Sequence, residues 1–285
     1  MTAMRRMAFQ TWRLDGSHIV PCRSGIPLSD RGFRYGQHFF ESLAVRDGKV
    51  LLLGEHLANL SEAASASGWP FPKRIRTALR SFCATKRLPD GMLRIYLTAG
   101  VGAPAAPVTN PECYLTWEEI RFPSEKDLSK GVSLVALNES VIGDTWGPGW
   151  GVKSGNYLPH LEALRAARTA GAGEGIVLDD RGYVVSCTMG NLLVWLPSRR
   201  GPLLCTPARG ARPGAVLAWV RQNALVTDRP LRPPDLRRAV ALAVTNSRLG
   251  VMPVASLDGK ALSGPNSATE LAFAYLRSHG LLRGS

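Results

Sequence analysis

One lysine in this 285-residue chain stands where a primary amine could do chemistry. Lys153 is followed by the small, turn-tolerant Ser154, Gly155 and Asn156, and from Tyr157 apolar residues recur at Leu158, Leu161, Ala163, Leu164 and Ala167, close to helical spacing. An amine so placed adds to a carbonyl when neutral and pairs with an anion when charged. Metal chemistry has no comparable set, because His18, His38, His56, His160 and His279 are dispersed without ligand spacing. Cys22, Cys83, Cys113, Cys187 and Cys205 form no C-x-x-C pair and are odd in number, so reduced thiols are expected rather than a disulfide frame or a zinc site.

The elements that must position the lysine can be read around it. Gly171 and Gly173 end the helix that follows, residues 175–178 form a short β-rich run, Asp180-Arg181-Gly182 supplies a turn, and residues 183–188 return as a strand before Asn191 opens a third apolar run. The lysine is thereby expected beside a sheet edge. Upstream, residues 8–13 with 18–21 and 41–46 with 49–53 bracket Asp15-Gly16 and Asp47-Gly48, two hairpin signals. Helices are expected at 55–67, 75–86, 157–169, 215–224, 234–239 and 267–278, and further strands at 92–98, 114–117, 133–137, 192–196, 241–245 and 251–255. This order gives a smaller α+β domain at 1–121, a charged connector at 122–131 punctuated by Pro123 and Gly131, and a larger mixed domain at 132–285 that carries the lysine and most of the site. The first domain is expected to close over the second, since small-ligand sites favour domain interfaces.

Composition narrows the partners. Hydrophobic residues make up 45% and charged residues 20% of the chain, which places it among globular proteins. The formal charge is +13 and the pI about 10.1, yet the basic residues are spread along the chain, densest at Arg199-Arg200 and 229–238, with no interleaved aromatics. A generally arginine-rich surface is therefore favoured over nucleic-acid binding, and a focusing effect on carboxylated or phosphorylated ligands is compatible with either. No apolar run reaches the roughly 18 residues of a membrane span. Arg5 and Arg6 lead into an alternating strand rather than an apolar signal segment, so a cytoplasmic location is the default expectation.

Several short motifs share one order. Asp30-Arg31-Gly32-Phe33, Tyr35-Gly36 and Phe40-Glu41 come first, then Glu55-His56-Leu57, then Leu93-Arg94-Ile95 with Thr98 and Gly100. Lys153 with Asn156-Tyr157-Leu158 follows, then G-x-x-E-G-I-V-L-D over 171–179, Asn191 with its apolar run, Thr206-Pro207, Pro213-Gly214, Thr245-Asn246-Ser247 and Met252-Pro253-Val254. No single motif is specific, but their succession over nearly the whole chain resembles the class IV aminotransferases. That family has the D-amino-acid aminotransferase-like fold, pyridoxal-phosphate fold type IV, and includes branched-chain aminotransferases, D-amino-acid aminotransferases and 4-amino-4-deoxychorismate lyases.

The resemblance implies a two-domain α+β and α/β fold, pyridoxal 5'-phosphate as cofactor, Lys153 as the catalytic amine that binds it, and a homodimer. It implies cofactor contacts at Asn59, Tyr157, Ser186, Asn191, Gly214, Ala215, Val216, Asn246 and Ser247, a substrate pocket including Phe33, Tyr35 and Arg94, and no metal. Three positions depart from the family pattern. Ser186, five residues before Asn191, stands where the family has a glutamate that keeps the ring nitrogen protonated. Asn59 replaces the phosphate-binding arginine of H-x-x-R-L, and Val216-Leu217 replaces a hydroxyl and an arginine after Pro213-Gly214. Arg209 or Arg212 is near enough in sequence to restore charge.

Two functions of different class follow. One is a pyridoxal-phosphate enzyme acting on a small anionic amine or amino acid, either an aminodeoxychorismate-lyase-like lyase or an aminotransferase, with Ser186 favouring elimination and branched-chain specificity ranked last. The other is a homologue that has lost the cofactor and uses the cleft for another anionic ligand or for cofactor-independent chemistry.

Overall fold

A computed structural model describes residues 9–137, 153–208, 210, 212–262 and 267–282. The chain divides into two compact units, one made of Met1–Phe122 and Val152–Asn156, the other of Pro123–Gly151 and Tyr157–Ser285.

In the first unit, β1 (Phe9–Asp15), β2 (His18–Pro21), α1 (Arg31–Tyr35), β3 (His38–Arg46), β4 (Lys49–Val50), α2 (Leu53–Ala66), α3 (Ile75–Lys86), β5 (Gly91–Thr98) and β6 (Glu112–Glu119) follow in order. The strands form one antiparallel sheet, β2-β1-β6-β5-β3-β4. Both hairpins expected from the D-G pairs are present. Between β3 and β4, Asp47 and Gly48 have φ of 48° and 71°, the left-handed pair that a two-residue hairpin turn requires.

Alternation along the strands sorts side chains onto two faces. Leu43 and Val45 of β3, Leu93, Ile95 and Leu97 of β5, and Leu115 and Trp117 of β6 pack with Leu57, Leu60, Leu79 and Phe82 of α2 and α3. Each such side chain contributes about 1.5–3 kcal/mol by leaving water. The other face carries Phe40 and Ser42, Arg94 and Tyr96, then Tyr114, Thr116 and Glu118, set opposite one another by the strand register.

The second unit contains α4 (Glu125–Lys130), β7 (Val132–Ala136), α5 (Leu158–Thr169), β8 (Glu174–Leu178), β9 (Val184–Cys187), β10 (Asn191–Leu196), β11 (Leu203–Pro207), α6 (Ala215–Asn223), β12 (Thr227–Arg229), α7 (Pro233–Arg237), β13 (Ala241–Asn246), β14 (Gly250–Leu257), β15 (Lys260–Ala261) and α8 (Ser267–Ser278). Its sheet runs β12-β11-β10-β13-β14-β7-β8-β9, with β15 paired to β14. The β11–β12, β14–β7 and β7–β8 pairs are parallel. Its core joins Ile176, Leu192, Val194, Leu242 and Val244, all fully buried. Among the described residues no helix is long and apolar enough to cross a membrane.

Two observations differ from the sequence expectation. The stretch read as a bare connector contains α4, because Ser124 and Asp127 form a capping box and Leu128 buries its side chain. The segment holding Lys153 joins the first unit rather than the second, because its backbone pairs with β3.

Candidate active site

That pairing is what presents the amine. The short β4 covers only Val45 and Arg46 of β3, leaving the other end of that strand as an open edge. Phe40 N donates to Lys153 O at 2.8 Å, Gly155 N donates to His38 O at 2.9 Å, and Phe39 bridges Ser154. The approach is close enough to require glycine, since a Cβ on Gly155 would lie 2.3 Å from His38 Cε1. Lys153 is therefore held by a sheet edge more than by the helix entrance, and α5 begins only at Leu158.

The side chain turns onto the polar face of the sheet. Lys153 Nζ lies 3.3 Å from Ser42 Oγ, to which it donates, and 4.6 Å from the centre of the Phe40 ring. Burial first, and the neighbouring charge of Arg94 second, lower its pKa from 10.5 to about 8. Beneath it, His56 Nδ1 and Glu41 Oε2 meet at 2.6 Å, both side chains 3% exposed. Burial first, and the charge on Lys153 second, push His56 down to about 3.

Arg94 shares this face and is paired with Glu118. Asn59 lies on α2 one turn beyond His56, half-buried. Phe33 and Tyr35 stand on α1 with 65% and 43% exposure, so both rings stay largely open to solvent within this unit. Ser42 and Glu118 belong to no motif that marks them as site residues.

In the second unit, the positions expected to hold an anion converge on α6. Asn191 Nδ2 donates to Arg212 O at 2.7 Å, and Asn191 Oδ1 accepts from Gly214 N at 3.1 Å, tying the loop before the helix to β10. A Cβ on Gly214 would fall 2.3 Å from that Oδ1, so only glycine permits the tie. Gly214 caps α6 without any side-chain bond, leaving the amides of Ala215 and Val216 in the first turn with no intrahelical acceptor. Thr245, directly opposite Asn191 in register and so on the same face, buries an Oγ1 that has no hydrogen-bond partner among the described residues. The Arg212 guanidinium is buried deeply enough to lower its pKa to about 10; Arg209 lies outside the described residues.

Neighbouring turns are braced to the same place. Asn246 Nδ2 donates to Met189 O at 3.2 Å while its Oδ1 accepts from Arg248 N and Leu249 N, fixing the turn that contains Ser247. Tyr157 stacks on His160 at 4.7 Å, and His160 Nδ1 lies 3.1 Å from Thr188 O. Glu174, to which the sequence assigns no role, accepts from Thr188 Oγ1 and from Met189 N, with its pKa raised by burial against the pull of those bonds. Ser186 Oγ on β9 donates to Cys187 O at 2.9 Å. Among the described residues no cluster of His, Cys, Asp and Glu could hold a metal ion.

Comparison with known proteins adds an independent line. The sequence profile described as Amino-transferase class IV matches residues 38–257. The chain is 27% identical over 285 aligned positions to the bifunctional aminodeoxychorismate lyase / D-amino acid transaminase of Mycobacterium tuberculosis, covering 92% of this chain and 96% of that one. It is 26% identical over 264 positions to a putative branched-chain-amino-acid aminotransferase of Methanocaldococcus jannaschii, covering 88% of each. Among solved structures, the branched-chain amino acid aminotransferase of Escherichia coli matches with a TM-score of 0.82 at 20% identity, over 97% of this chain and 96% of that one.

Proposed function

We infer the function from the family to which this chain belongs, the class IV aminotransferases, a family of enzymes whose two-unit α+β fold it shares. We propose that it is dependent on pyridoxal phosphate, that Lys153 binds the cofactor, and that it acts on a small anionic amine or amino acid as a lyase or transaminase. The observation that carries this reading is the presentation of Lys153, an amine backed by Phe40 and Ser42 with a pKa lowered to about 8.

Each unit, taken by itself, carries groups of a kind the cofactor's chemistry calls for. Lys153 suits its aldehyde. Within the second unit, the open amides of Ala215 and Val216, the orphaned Thr245 Oγ1 and the glycine tie at Gly214 suit an anion such as a phosphate. When bound, pyridoxal phosphate would supply an electron sink for the pair left when a bond at the amine-bearing carbon breaks. Lys153 is the base that takes and returns the proton at that carbon, and its lowered proton affinity keeps part of it neutral near pH 7. Phe40 keeps water from one side of the amine. Ser186 can hydrogen-bond a neutral ring nitrogen but cannot hold a proton on it by charge. That favours elimination over transamination and an aminodeoxychorismate-lyase-like reaction over branched-chain exchange.

Ser186 and Asn59 also support a second reading, in which the cofactor has been lost and the anion-holding residues serve another ligand. Pyridoxal phosphate titration separates the two. The first reading expects a visible absorption band that borohydride abolishes, with the label on Lys153. Because only the neutral amine adds to the aldehyde, the rate of capture should rise with pH to a half-maximum near the lysine's pKa of about 8, whereas an ordinary lysine keeps gaining towards 10.5. Absence of the band across that range supports the second reading.

We propose further that the protein is a homodimer. Leu28, Phe33, Tyr35 and Val101 are 73%, 65%, 43% and 65% exposed, and a bridge between Asp30 and Val101 joins the segments that carry them. An apolar surface of this kind marks an association face. Ultracentrifugation at micromolar concentration should give twice the chain mass; the mass of a single chain would refute the dimer.

A further inference from the structure

The face that carries Lys153 also carries a carboxylate of its own. Arg94 lies opposite Ser42, the acceptor of Lys153 Nζ, on one side and opposite Thr116 on the other. Glu118 is two residues further along β6 than Thr116, hence on the same face. Its Oε1 accepts from Arg94 Nη1, with the side chains 19% and 29% exposed. Thr116 Oγ1 is buried and has no hydrogen-bond partner among the described residues. Two cations and one carboxylate therefore share a small patch, and the charge of Arg94 is felt at the lysine.

We propose that Glu118 is a specificity-determining residue that occupies Arg94 and so excludes amino acids whose short side chain ends in a carboxylate. This rests on reading the Lys153 face as the substrate surface. Opposite residues of an antiparallel pair have Cα atoms only about 4.5–5.5 Å apart, so a molecule whose amine-bearing carbon lies at Lys153 can reach Arg94 with a short side chain. A carboxylate arriving there finds the guanidinium already bonded. Displacing Glu118 would strand a half-buried carboxylate without its partner, and binding beside it would set two like charges together. An apolar or neutral side chain meets neither obstacle. Glu118 thus acts through Arg94, as an internal occupant of the position where an acidic substrate would dock.

Glutarate, a dicarboxylate that needs no cofactor, is the probe. Its binding to wild type, Glu118→Gln and the double variant Glu118→Gln with Arg94→Gln would be measured by calorimetry, with circular dichroism to check folding. Glu118→Gln should bind glutarate about ten- to a hundred-fold more tightly than wild type, the range of one charge-assisted contact, and the double variant should fall back to the wild-type level. Glu118→Ala, which removes the carboxylate without adding an amide, replaces Glu118→Gln if the latter does not fold and should show the same gain. Wild type binding as tightly as the single variant, a single variant that gains nothing, or a double variant that keeps the gain would each overturn the proposal. The pattern is read without pyridoxal phosphate, so failure of the cofactor to label Lys153 would remove the functional reading and leave the glutarate result standing.

Discussion

Lys153→Ala should abolish both the borohydride-stable attachment of pyridoxal phosphate and all lyase or transaminase turnover, while the protein stays folded. The separation is expected because the backbone of Lys153, not its side chain, pairs with Phe40. Deleting the amine leaves that edge bond in place and removes a desolvated charge, so the fold should survive the change. Mass spectrometry of the reduced adduct, steady-state kinetics and thermal unfolding together check it. Turnover equal to wild type would remove Lys153 from its assigned role, and loss of activity with loss of fold would show that the side chain supports the edge after all.

Restoring the family's missing contacts should change cofactor binding in two distinguishable ways. Asn59→Arg places a cation one helical turn beyond His56 and, if the phosphate lacks one, adds a charge-assisted bond worth about 1.5–3 kcal/mol, or roughly one to two decades in affinity. Ser186→Glu gives up only a local bond to the Cys187 carbonyl and supplies a carboxylate to the ring, raising the nitrogen's proton affinity and shifting the pH at which the bound chromophore changes colour. Titration of pyridoxal phosphate followed by spectrum and by heat reads both. Tight binding by wild type that Asn59→Arg weakens would mean that another cation already serves the phosphate. Arg212, buried beside the start of α6, is the residue to replace next.

The sequence made the local elements legible and the long-range ones not. The helices expected at 75–86 and 267–278 coincide with α3 and α8, where one apolar stripe and clear ends leave little choice. Helix α1 escapes such a reading because a single turn, capped by the Asp30 side chain bonding Gly32 N, has no periodicity to detect. The run Leu203–Pro207 escapes it because it is nearly all buried and shows no alternation. At the site, Lys153 and Arg94 stand out by type and motif. Ser42 and Glu118 do not, because their positions depend on which residues of β3, β5 and β6 lie opposite one another, and that register is set by packing across the sheet. The attachment of the lysine to an edge more than a hundred residues upstream is a tertiary fact of the same kind.

The two-faced sheet of the first unit also decides how this lineage can acquire new chemistry. Leu43, Leu93 and Ile95 face the helices and are fully buried, so drift at those positions is purged by lost stability. Their immediate neighbours Ser42, Arg94 and Tyr96 face the amine, and each can change by a single substitution without disturbing the core. Selection on β3 and β5 thus finds changeable residues at Ser42, Arg94 and Tyr96, interleaved with immovable ones. Insertion or deletion of one residue within either strand exchanges the two classes, carrying leucine to the amine and arginine into the core. Substrate range in these strands should therefore diversify by point substitution at constant strand length, with changes of length confined to the loops between them.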